Sequence, residues 1–278
     1  MSLVFAAIAP HGSMAIAEAC EPHEVGLAQK TQDAFAELGR RFDAARPEST
    51  IVLTPHNVHV EGSFAVIVAA ELHGSLSDWT TQPVELACPV DRALALRSIV
   101  SLVDAEVPAV GISFGGNDPE AAVAPLDWGS LIPLWYMGGR REPSVPAVIV
   151  SPARERSHEE HVRAGVALAR AAAASGKRVA LIASADHGHA HDPDGPYGFD
   201  PAAKEYDERV VELVGDDRLA ELLELEVDFV DRAKADSFWQ LLMLHGALTS
   251  NRGWRGELLS YEAPTYFGML CAAYEPGG

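Results

Sequence analysis

Three segments of this sequence place histidines directly after an apolar run that is typical of a buried β-strand. The runs and the histidines that follow them are Val4–Pro10 with His11, Thr50–Pro55 with His56 and His59, and Arg178–Asp186 with His187, His189 and His191. Because the strands of an α/β sheet present side chains that are distant in sequence at one edge, we expect these histidines to converge. A single histidine at a strand end is usually a hydrogen-bonded loop residue, but three such coincidences favour a metal site.

The apolar segments predict strands that alternate with helices, which is typical of an α/β domain. The predicted strands are Ser2–Ala9, Thr50–Leu53, Phe64–Val68, Val107–Ser113, Ala147–Ser151 and Arg178–Ala185. The predicted helices are Glu24–Ala45, Asp91–Ser101, His158–Ser175, Lys204–Val214, Asp217–Leu223 and Val230–Leu248, and Tyr261–Tyr274 is predicted to form a strand pair. Leu126–Met137 is ambiguous, because a helix-like apolar pattern contains a glycine and a proline. We expect one domain over residues 1–278, with helices covering a sheet and the active site at the strand ends.

Composition excludes several classes of partner. The chain has 278 residues, 48% of them apolar, and a formal net charge of −19 from 40 acidic and 21 basic residues. It has no dense cluster of Lys and Arg, so we expect no nucleic-acid partner and no binding to an anionic membrane. Leu3–Ala9 is too short to span a membrane and lacks the flanks of a signal peptide, which predicts a cytoplasmic protein. The three cysteines lack CxxC spacing, so neither a disulfide framework nor a thiolate zinc site is expected.

The best candidates for metal ligands are His11 and His56. Each follows a proline at the end of a strand, where a rigid turn can present the imidazole. Two imidazoles and a carboxylate with open positions form the facial triad of Fe(II) oxygen chemistry, but zinc hydrolases use similar ligands, so these residues leave the metal open. His59, three residues beyond His56, is interpreted as a group that contacts a ligand or the substrate.

A long loop is predicted after the strand Arg178–Ala185, since the run DHGHAHDPDGPYGFDP is rich in Asp, Gly and Pro. Loops of this length at a strand end are usually functional. His187 lies nearest the strand, and we expect it to do acid–base work because an imidazole titrates near neutrality. His189 and His191 are expected to face solvent.

Five segments carry a resemblance that runs in order across roughly residues 4 to 270: IAPHGS, TPHNVHVEG, LDWGSLIPLW, SADHGHAHDPDGPYGFDPAAKEYDE and LLMLHGAL. In this order they resemble the class III extradiol ring-cleaving dioxygenases, typified by the catalytic subunit of protocatechuate 4,5-dioxygenase. No single segment is decisive, but the ordered set is fairly specific. The resemblance implies an α/β fold with a central mixed sheet and a mononuclear non-haem Fe(II) site. The reaction it implies is cleavage of a catechol-type or aminophenol-type ring by O2.

The resemblance also implies roles for particular residues. The family's two histidine ligands match His11 and His56, and its acid–base histidine matches His187, with His59 as a second candidate base. The family's glutamate ligand lies shortly before the helix that ends in GAL, but RAKADSFWQLLMLHGAL contains no glutamate. Asp236 is the nearest acid, and we expect it to be the third ligand if its backbone lies closer to the metal. The alternative is that Asp236 only caps the following helix.

A second departure from the family is Trp128. Many members have an Asp-His-Gly step where this chain has Asp127-Trp128-Gly129, and an indole cannot accept a proton. This predicts an altered substrate or a reduced activity. The candidates for the walls of an aromatic pocket are Trp135, Tyr136, Tyr197, Phe199, Tyr266 and Phe267.

Two other functions stay open at this point. The missing glutamate and Trp128 favour a non-catalytic assembly subunit, whereas the three histidines His11, His56 and His187 oppose it. The other alternative is a zinc-dependent hydrolase or a redox-regulatory protein on the same fold, and zinc or manganese would also suit the ligands. The expected partners are a small aromatic substrate, O2 and a second copy of the chain, since the C-terminal segment APTYFGMLCAAY predicts exposed apolar strands that pair in a homodimer.

Overall fold

The structure of the chain, a computed structural model, describes residues 3–77, 80, 83–115, 118, 120–250 and 253–277. Its strands are β1 (Leu3–Ala9), β2 (Ser49–Leu53), β3 (Phe64–Ile67), β4 (Glu71–Ser75), β5 (Glu85–Pro89), β6 (Ala109–Ile112), β7 (Val123–Pro125), β8 (Ala147–Ser151), β9 (Val179–Ser184), β10 (Trp254–Glu262) and β11 (Met269–Pro276). Eight of them form one mixed sheet in the order β10-β11-β1-β9-β2-β8-β3-β6. Helices flank this sheet, so the predicted α/β class with a central mixed sheet is confirmed.

The middle of the large sheet consists of the parallel strands β1, β9, β2 and β8. Ala9 of β1 pairs with Ser184 of β9. Leu53 of β2 pairs with Ala183, one residue earlier on β9. Every residue of β2, β8 and β9 is buried, as expected of parallel strands that are covered on both faces. The three histidine-bearing segments therefore leave adjacent strands at the same sheet edge, as predicted.

The helices pack against the sheet and against one another. They are α1 (Gln29–Ala45), α2 (Arg92–Asp104), α3 (Trp128–Tyr136), α4 (His158–Ser175), α5 (Pro201–Gly215), α6 (Val227–Ala233) and α7 (Phe238–Thr249). α4 and α7 approach so closely that a side chain on Gly165 would collide with the backbone oxygen of Met243, and one on Gly246 with that of Val162. The glycine in the LHGAL segment is thus needed for helix packing. Among the described residues, no helix combines the length and apolarity needed to cross a membrane.

The predicted helix Val230–Leu248 is wrong in one respect, because a break at residues 234–237 divides it into α6 and α7. Lys234 adopts the left-handed backbone conformation there, with φ of 54°. The break allows Asp236 to leave the helical path and turn toward the end of β9. The predicted first helix, Glu24–Ala45, is also too long and begins only at Gln29.

A small second sheet was not predicted. It has the order β5-β4-β7, and its strands β4 and β5 bury alternate residues, including Leu72 and Leu86. Segments such as ELHGS are short and half polar, so their period-two pattern is weak in sequence. The ambiguous segment Leu126–Met137 contains α3, which tolerates Pro133 in its interior.

The predicted strand pair Tyr261–Tyr274 is present as β10 and β11, and β10 begins earlier, at Trp254. β11 pairs with β1 on one side and β10 on the other, and its residues Met269–Tyr274 are buried. The expectation of exposed apolar C-terminal strands is therefore wrong. The homodimer stays a prediction, but the C-terminal strands no longer support it. Ser2, the first residue of the first predicted strand, lies outside the described residues.

Candidate metal centre

Three side chains from separate parts of the chain meet beyond the carboxyl ends of β1 and β2. Nε2 of His11 lies 3.0 Å from Nε2 of His56. Oδ2 of Asp236 lies 3.0 Å from Nε2 of His56 and 3.5 Å from Nε2 of His11. His11 and Asp236 are buried and His56 is half-buried. The structure thus brings together the three side chains that were predicted as metal ligands.

The spacing of these atoms fits a shared cation. Two ligand atoms at about 2.1 Å from one metal ion lie about 3.0 Å apart at a right angle and about 3.4 Å apart at a tetrahedral angle. The three observed separations, 3.0, 3.0 and 3.5 Å, agree with these values. Oδ1 of Asp236 is buried without a hydrogen-bond partner among the described residues. The carboxylate therefore keeps an unused acceptor beside the cluster.

The charges in the cluster favour a cation as well. Burial acts to lower the pKa of His11, but Asp186 and Asp236 outweigh burial and raise it to about 9. For Asp236, burial acts to raise the pKa, but the charge of His11 and hydrogen bonds from His11 and His56 lower it below its usual range. Oδ2 of Asp186 lies 3.4 Å from Nε2 of His11. Two carboxylates thus stabilise positive charge at this point, whether a proton or a metal ion supplies it.

Hydrogen bonds fix the ring of His11 in the orientation that a ligand needs. The hydroxyl of Ser184 donates to the backbone oxygen of Gly129. A hydroxyl has one proton, so Nδ1 of His11, 2.9 Å from the same oxygen, must be the donor to it. The lone pair of a neutral ring is then on Nε2, the atom that faces the cluster. The backbone N–H of His11 donates to Oδ1 of Asp186 over 2.8 Å, which fixes the main chain at the end of β1.

His56 is held by the start of α3. Its backbone N–H donates to Oγ1 of Thr54 over 3.3 Å, and this hydroxyl donates to Oδ1 of Asp127 over 2.8 Å. Asp127 caps α3 by accepting from the backbone N–H of Ser130. The indole of Trp128 stacks on the imidazole of His56, with ring centroids 4.3 Å apart and planes 28° apart. Trp128, where the resemblance predicts a histidine, therefore lies against a candidate ligand.

The side chain of Asp236, which is shorter than that of a glutamate, reaches the cluster because hydrogen bonds hold its backbone close to β9. The amide of Gln240 donates to the backbone oxygen of Asp236 over 2.8 Å and to that of Ser184 over 3.0 Å. The residue that caps α7 is Ser237, and its side chain makes no capping hydrogen bond. Because Oδ2 of Asp236 faces the histidines, the alternative in which this residue only caps the helix does not describe the structure.

A cavity of about 430 Å³ opens onto the cluster. This volume lies in the range typical of small-molecule sites. Its described lining residues are His11, Gly12, Ser13, Met14, Glu24, His56, Trp128, Asp186, His189, Tyr197, Thr265, Tyr266 and Phe267. Of the predicted wall residues, Tyr197, Tyr266 and Phe267 line this cavity. Trp135, Tyr136 and Phe199 are not among its lining residues.

The loop after β9 places a different histidine in the cavity from the one predicted. His189 lines the cavity, and its Nδ1 lies 2.7 Å from the backbone oxygen of His187. A carbonyl can only accept, so Nδ1 of His189 donates, which leaves Nε2 of the neutral ring as a proton acceptor. Burial lowers the pKa of His187, whose side chain is buried with Nδ1 3.1 Å from Oγ of Ser237. His187 therefore contacts Ser237, the residue that follows Asp236. His187 is not among the described residues that line the cavity.

The remaining predicted histidines also lie outside the cavity. His59 is exposed and is absent from the described lining. His191 does not face solvent as predicted, because its Nε2 donates to Oδ2 of the buried Asp207 over 2.8 Å. The solvent-facing expectation is wrong for His189 too, since this side chain is half-buried in the cavity wall.

Sequence reasoning missed several residues that build the site. They are Ser184, Asp186, His189, Asp207 and Gln240. Asp186 and His189 belong to the segment SADHGHAH, where the alternation of histidines left their directions undetermined. Ser184 and Gln240 act through side-chain bonds to backbone atoms of other segments, and no local pattern predicts such bonds.

Comparison with known proteins gives three findings. The family described as the catalytic LigB subunit of aromatic ring-opening dioxygenase matches residues 5–270. Protein CA_C1420 of Clostridium acetobutylicum is 23% identical over 262 residues, which cover 94% of this chain and 55% of that protein, so the chain spans about half the length of this relative. The crystal structure of the uncharacterized protein JW3007 from Escherichia coli K12 matches with a TM-score of 0.60 and 18% identity, over 97% of this chain and 99% of that one. At this identity the structural likeness concerns the fold alone.

Proposed function

Since the chain belongs to the family of catalytic LigB subunits of aromatic ring-opening dioxygenases, we propose that it is a non-haem Fe(II)-dependent extradiol dioxygenase. Its substrate would be a catechol-type or aminophenol-type ring. The observation that carries the proposal is the convergence of His11, His56 and Asp236, with ligand atoms 3.0–3.5 Å apart, beside a cavity that His11, His56 and several aromatic side chains line. Two imidazoles and one carboxylate match the facial triad of Fe(II) oxygenases.

These three side chains would hold the metal and leave positions open on the side of the cavity. Fe(II) held there would supply the redox chemistry that couples oxidation of the ring to reduction of O2. The reaction breaks the carbon–carbon bond next to the two ring heteroatoms and adds both atoms of O2. For a catechol, the product is a ring-opened acid that also carries an aldehyde or ketone group. No other oxidant or reductant is needed for this balance.

His189 is the proposed acid–base residue. Nε2 is its free acceptor, and the ring lines the cavity beside the ligand cluster. This imidazole would take the proton of a substrate hydroxyl and so favour the ionised diol. The sequence assigned this task to His187 or His59, but the burial of His187 and the exposure of His59 give them no comparable position.

The aromatic side chains would position the ring and exclude water. Trp128 lines the cavity and covers one face of His56, so a ligand ring would meet an indole where many family members are expected to present an imidazole. Tyr266 and Phe267 line the same cavity. Burial of a substrate ring against such side chains would provide binding energy and hold the two heteroatoms toward the cluster.

The test is anaerobic loading of the protein with Fe(II), followed by oxygen uptake with a panel of catechols and aminophenols. We expect stoichiometric iron and consumption of one O2 for each ring opened. Asp236→Asn has nearly the same volume but a weaker ligand, and should lose both iron and uptake. Stoichiometric iron with no uptake across the panel would contradict the dioxygenase, and activity only with zinc in an ester or amide hydrolysis assay would favour the hydrolase. Failure to bind any divalent metal would favour an assembly subunit.

A further inference from the structure

The cavity beside the ligand cluster carries acidic side chains that no lysine or arginine of its described lining balances. Its described lining contains two carboxylates, Glu24 and Asp186, and no lysine or arginine. Glu24 is half-buried in the turn before α1, where Oε2 accepts from the backbone N–H of Glu21 over 2.9 Å. Among the described residues, no cationic side chain forms an ion pair with Glu24. Its charge is therefore available to a bound molecule.

The metal site does not offset this charge. Asp186 is buried next to the cluster, with Oδ2 3.4 Å from Nε2 of His11. Together with Asp236, it would balance the two positive charges of a divalent ion. A carboxylate on the substrate would then enter a cavity whose described lining offers no lysine or arginine to bind it, and it would meet the charge of Glu24.

Aromatic rings surround the same space. The imidazole of His189 stacks on Phe267 with centroids 5.4 Å apart, and Tyr197 lies edge-on to His189 at 5.6 Å. Tyr266 is 4.9 Å from Phe267 and 6.2 Å from Tyr197. Ring faces attract ammonium groups, and a carboxylate beside several rings is the arrangement that proteins use to bind organic cations.

We propose that the cavity selects aromatic diols or aminophenols that carry a positively charged amine, and disfavours those that carry a carboxylate. The inference rests on the proposed function for the identity of the ring. The ammonium group would lie among Tyr197, Tyr266 and Phe267, with its charge directed to Glu24. The heteroatoms of the ring would face His11 and His56.

The test measures binding without turnover, by anaerobic calorimetry of the Fe(II)-treated protein with three catechols. These carry an aminoethyl, an ethyl or a carboxymethyl group at the same ring position, so they differ mainly in charge. We expect the aminoethyl compound to bind at least about tenfold more tightly than the ethyl compound, and the carboxymethyl compound to bind most weakly. Equal affinities, no detectable binding of any of the three, or tightest binding of the carboxymethyl compound would overturn the proposal.

Two variants locate the effect. Glu24→Gln keeps an acceptor for Glu21 but removes the charge, so the advantage of the aminoethyl over the ethyl compound should fall about tenfold. Glu18→Gln is the matched control, since Glu18 is exposed, contacts Trp135 and Arg140, and is not part of the described lining. An unchanged preference in Glu24→Gln would overturn the role of this residue.

Oxygen uptake with the same three compounds separates this inference from the proposed function. A binding preference for the amine without any uptake would contradict the dioxygenase and leave the charge selectivity standing. Uptake with all three compounds at equal kcat/KM would support the dioxygenase and contradict the selectivity.

Discussion

At the scale of single residues, the site depends on which ring nitrogen of each histidine is free. The bond from Nδ1 of His11 to Ser184 leaves Nε2 for the cluster, and the bond from Nδ1 of His189 to a backbone oxygen leaves Nε2 for the cavity. Both histidines thus have Nε2 free, but their rings have different surroundings. His11 faces two carboxylates and suits a ligand, whereas His189 faces aromatic rings and suits a proton acceptor.

Replacement of His189 should separate acid–base work from metal binding. We expect His189→Gln to retain iron but to lose about a hundredfold or more in kcat, because the proton acceptor is removed while the ligands stay in place. His187→Gln should affect thermal stability more than kcat, since His187 contacts Ser237 inside the protein. Iron content and steady-state oxygen uptake, measured for both variants, test which histidine is the proton acceptor. A large loss of kcat in His187→Gln with normal activity in His189→Gln would restore the prediction from sequence.

The stacking of Trp128 on His56 should contribute to metal affinity. Loss of groups that orient a ligand commonly costs about 10- to 100-fold in affinity. We expect Trp128→Ala to weaken Fe(II) binding within that range and Trp128→Phe to retain most of it, as measured by competition with a chelator. Trp135→Ala is the control, because Trp135 stacks with Arg140 outside the cavity. Equal metal affinity in Trp128→Ala and the wild type would show that the stacking is incidental.

The residues that could be predicted are those for which a local pattern sets the direction of the side chain. His11 and His56 follow strand ends after a proline, and the parallel strands β1, β9 and β2 bring them to one edge. The choice between His187 and His189 could not be made in this way. Within an irregular loop, two residues two positions apart, such as His187 and His189, can face different directions, and here the backbone bonds of the loop decide which one lines the cavity.

At the scale of elements, the loop after β9 is held by one buried carboxylate on α5. Oδ1 of Asp207 accepts from the backbone N–H of Gly188 over 2.7 Å. Its Oδ2 accepts from Nε2 of His191 over 2.8 Å and from the hydroxyl of Tyr261 over 2.7 Å. These contacts lie on both sides of His189 in sequence, so Asp207 fixes the segment that presents the proposed base.

Asp207→Asn should therefore loosen the loop as well as destabilise the fold. An amide has one acceptor oxygen in place of two, so at least one of the three donors loses its partner. We expect a decrease of about 1–3 kcal/mol in the free energy of unfolding, measured in urea, and a fall in kcat with little change in iron content. Glu208→Gln is the control, since Glu208 is exposed and pairs with Lys204 on the same helix. Normal kcat in Asp207→Asn would contradict the positioning role.

Elements with strong periodicity were predicted well from sequence. The buried strands and α4 match their predicted ranges to within about one residue. The break between α6 and α7 was missed because residues 234–237, Lys-Ala-Asp-Ser, contain no glycine or proline that would mark a helix end, while tertiary bonds from Gln240 set the backbone of Asp236. The small sheet was missed because its strands are short and half exposed.

At the scale of the whole molecule, buried neutral histidines should make the fold sensitive to acid. Burial lowers the pKa of His161 from 6.5 to about 4. The unfolded chain therefore binds a proton at a pH where the folded protein does not, and the free energy of unfolding decreases as the pH falls from 6.5 toward 4. The slope from this one group is at most about 1.4 kcal/mol per pH unit. Urea unfolding at several pH values should show a shallower slope in His161→Leu, and an identical slope would contradict the assignment.

The central claim concerns the whole molecule as a catalyst, and it is tested most directly by the fate of the oxygen atoms. The Fe(II)-loaded protein would be supplied with heavy-isotope O2 and a catechol that supports uptake, and the ring-opened product analysed by mass spectrometry. An extradiol dioxygenase incorporates both labelled atoms into one product molecule, and Asp236→Asn should give no labelled product. The product would be reduced as it forms, because the oxygen of its aldehyde or ketone group otherwise exchanges with water. Incorporation of one atom or none into the reduced wild-type product would contradict the account.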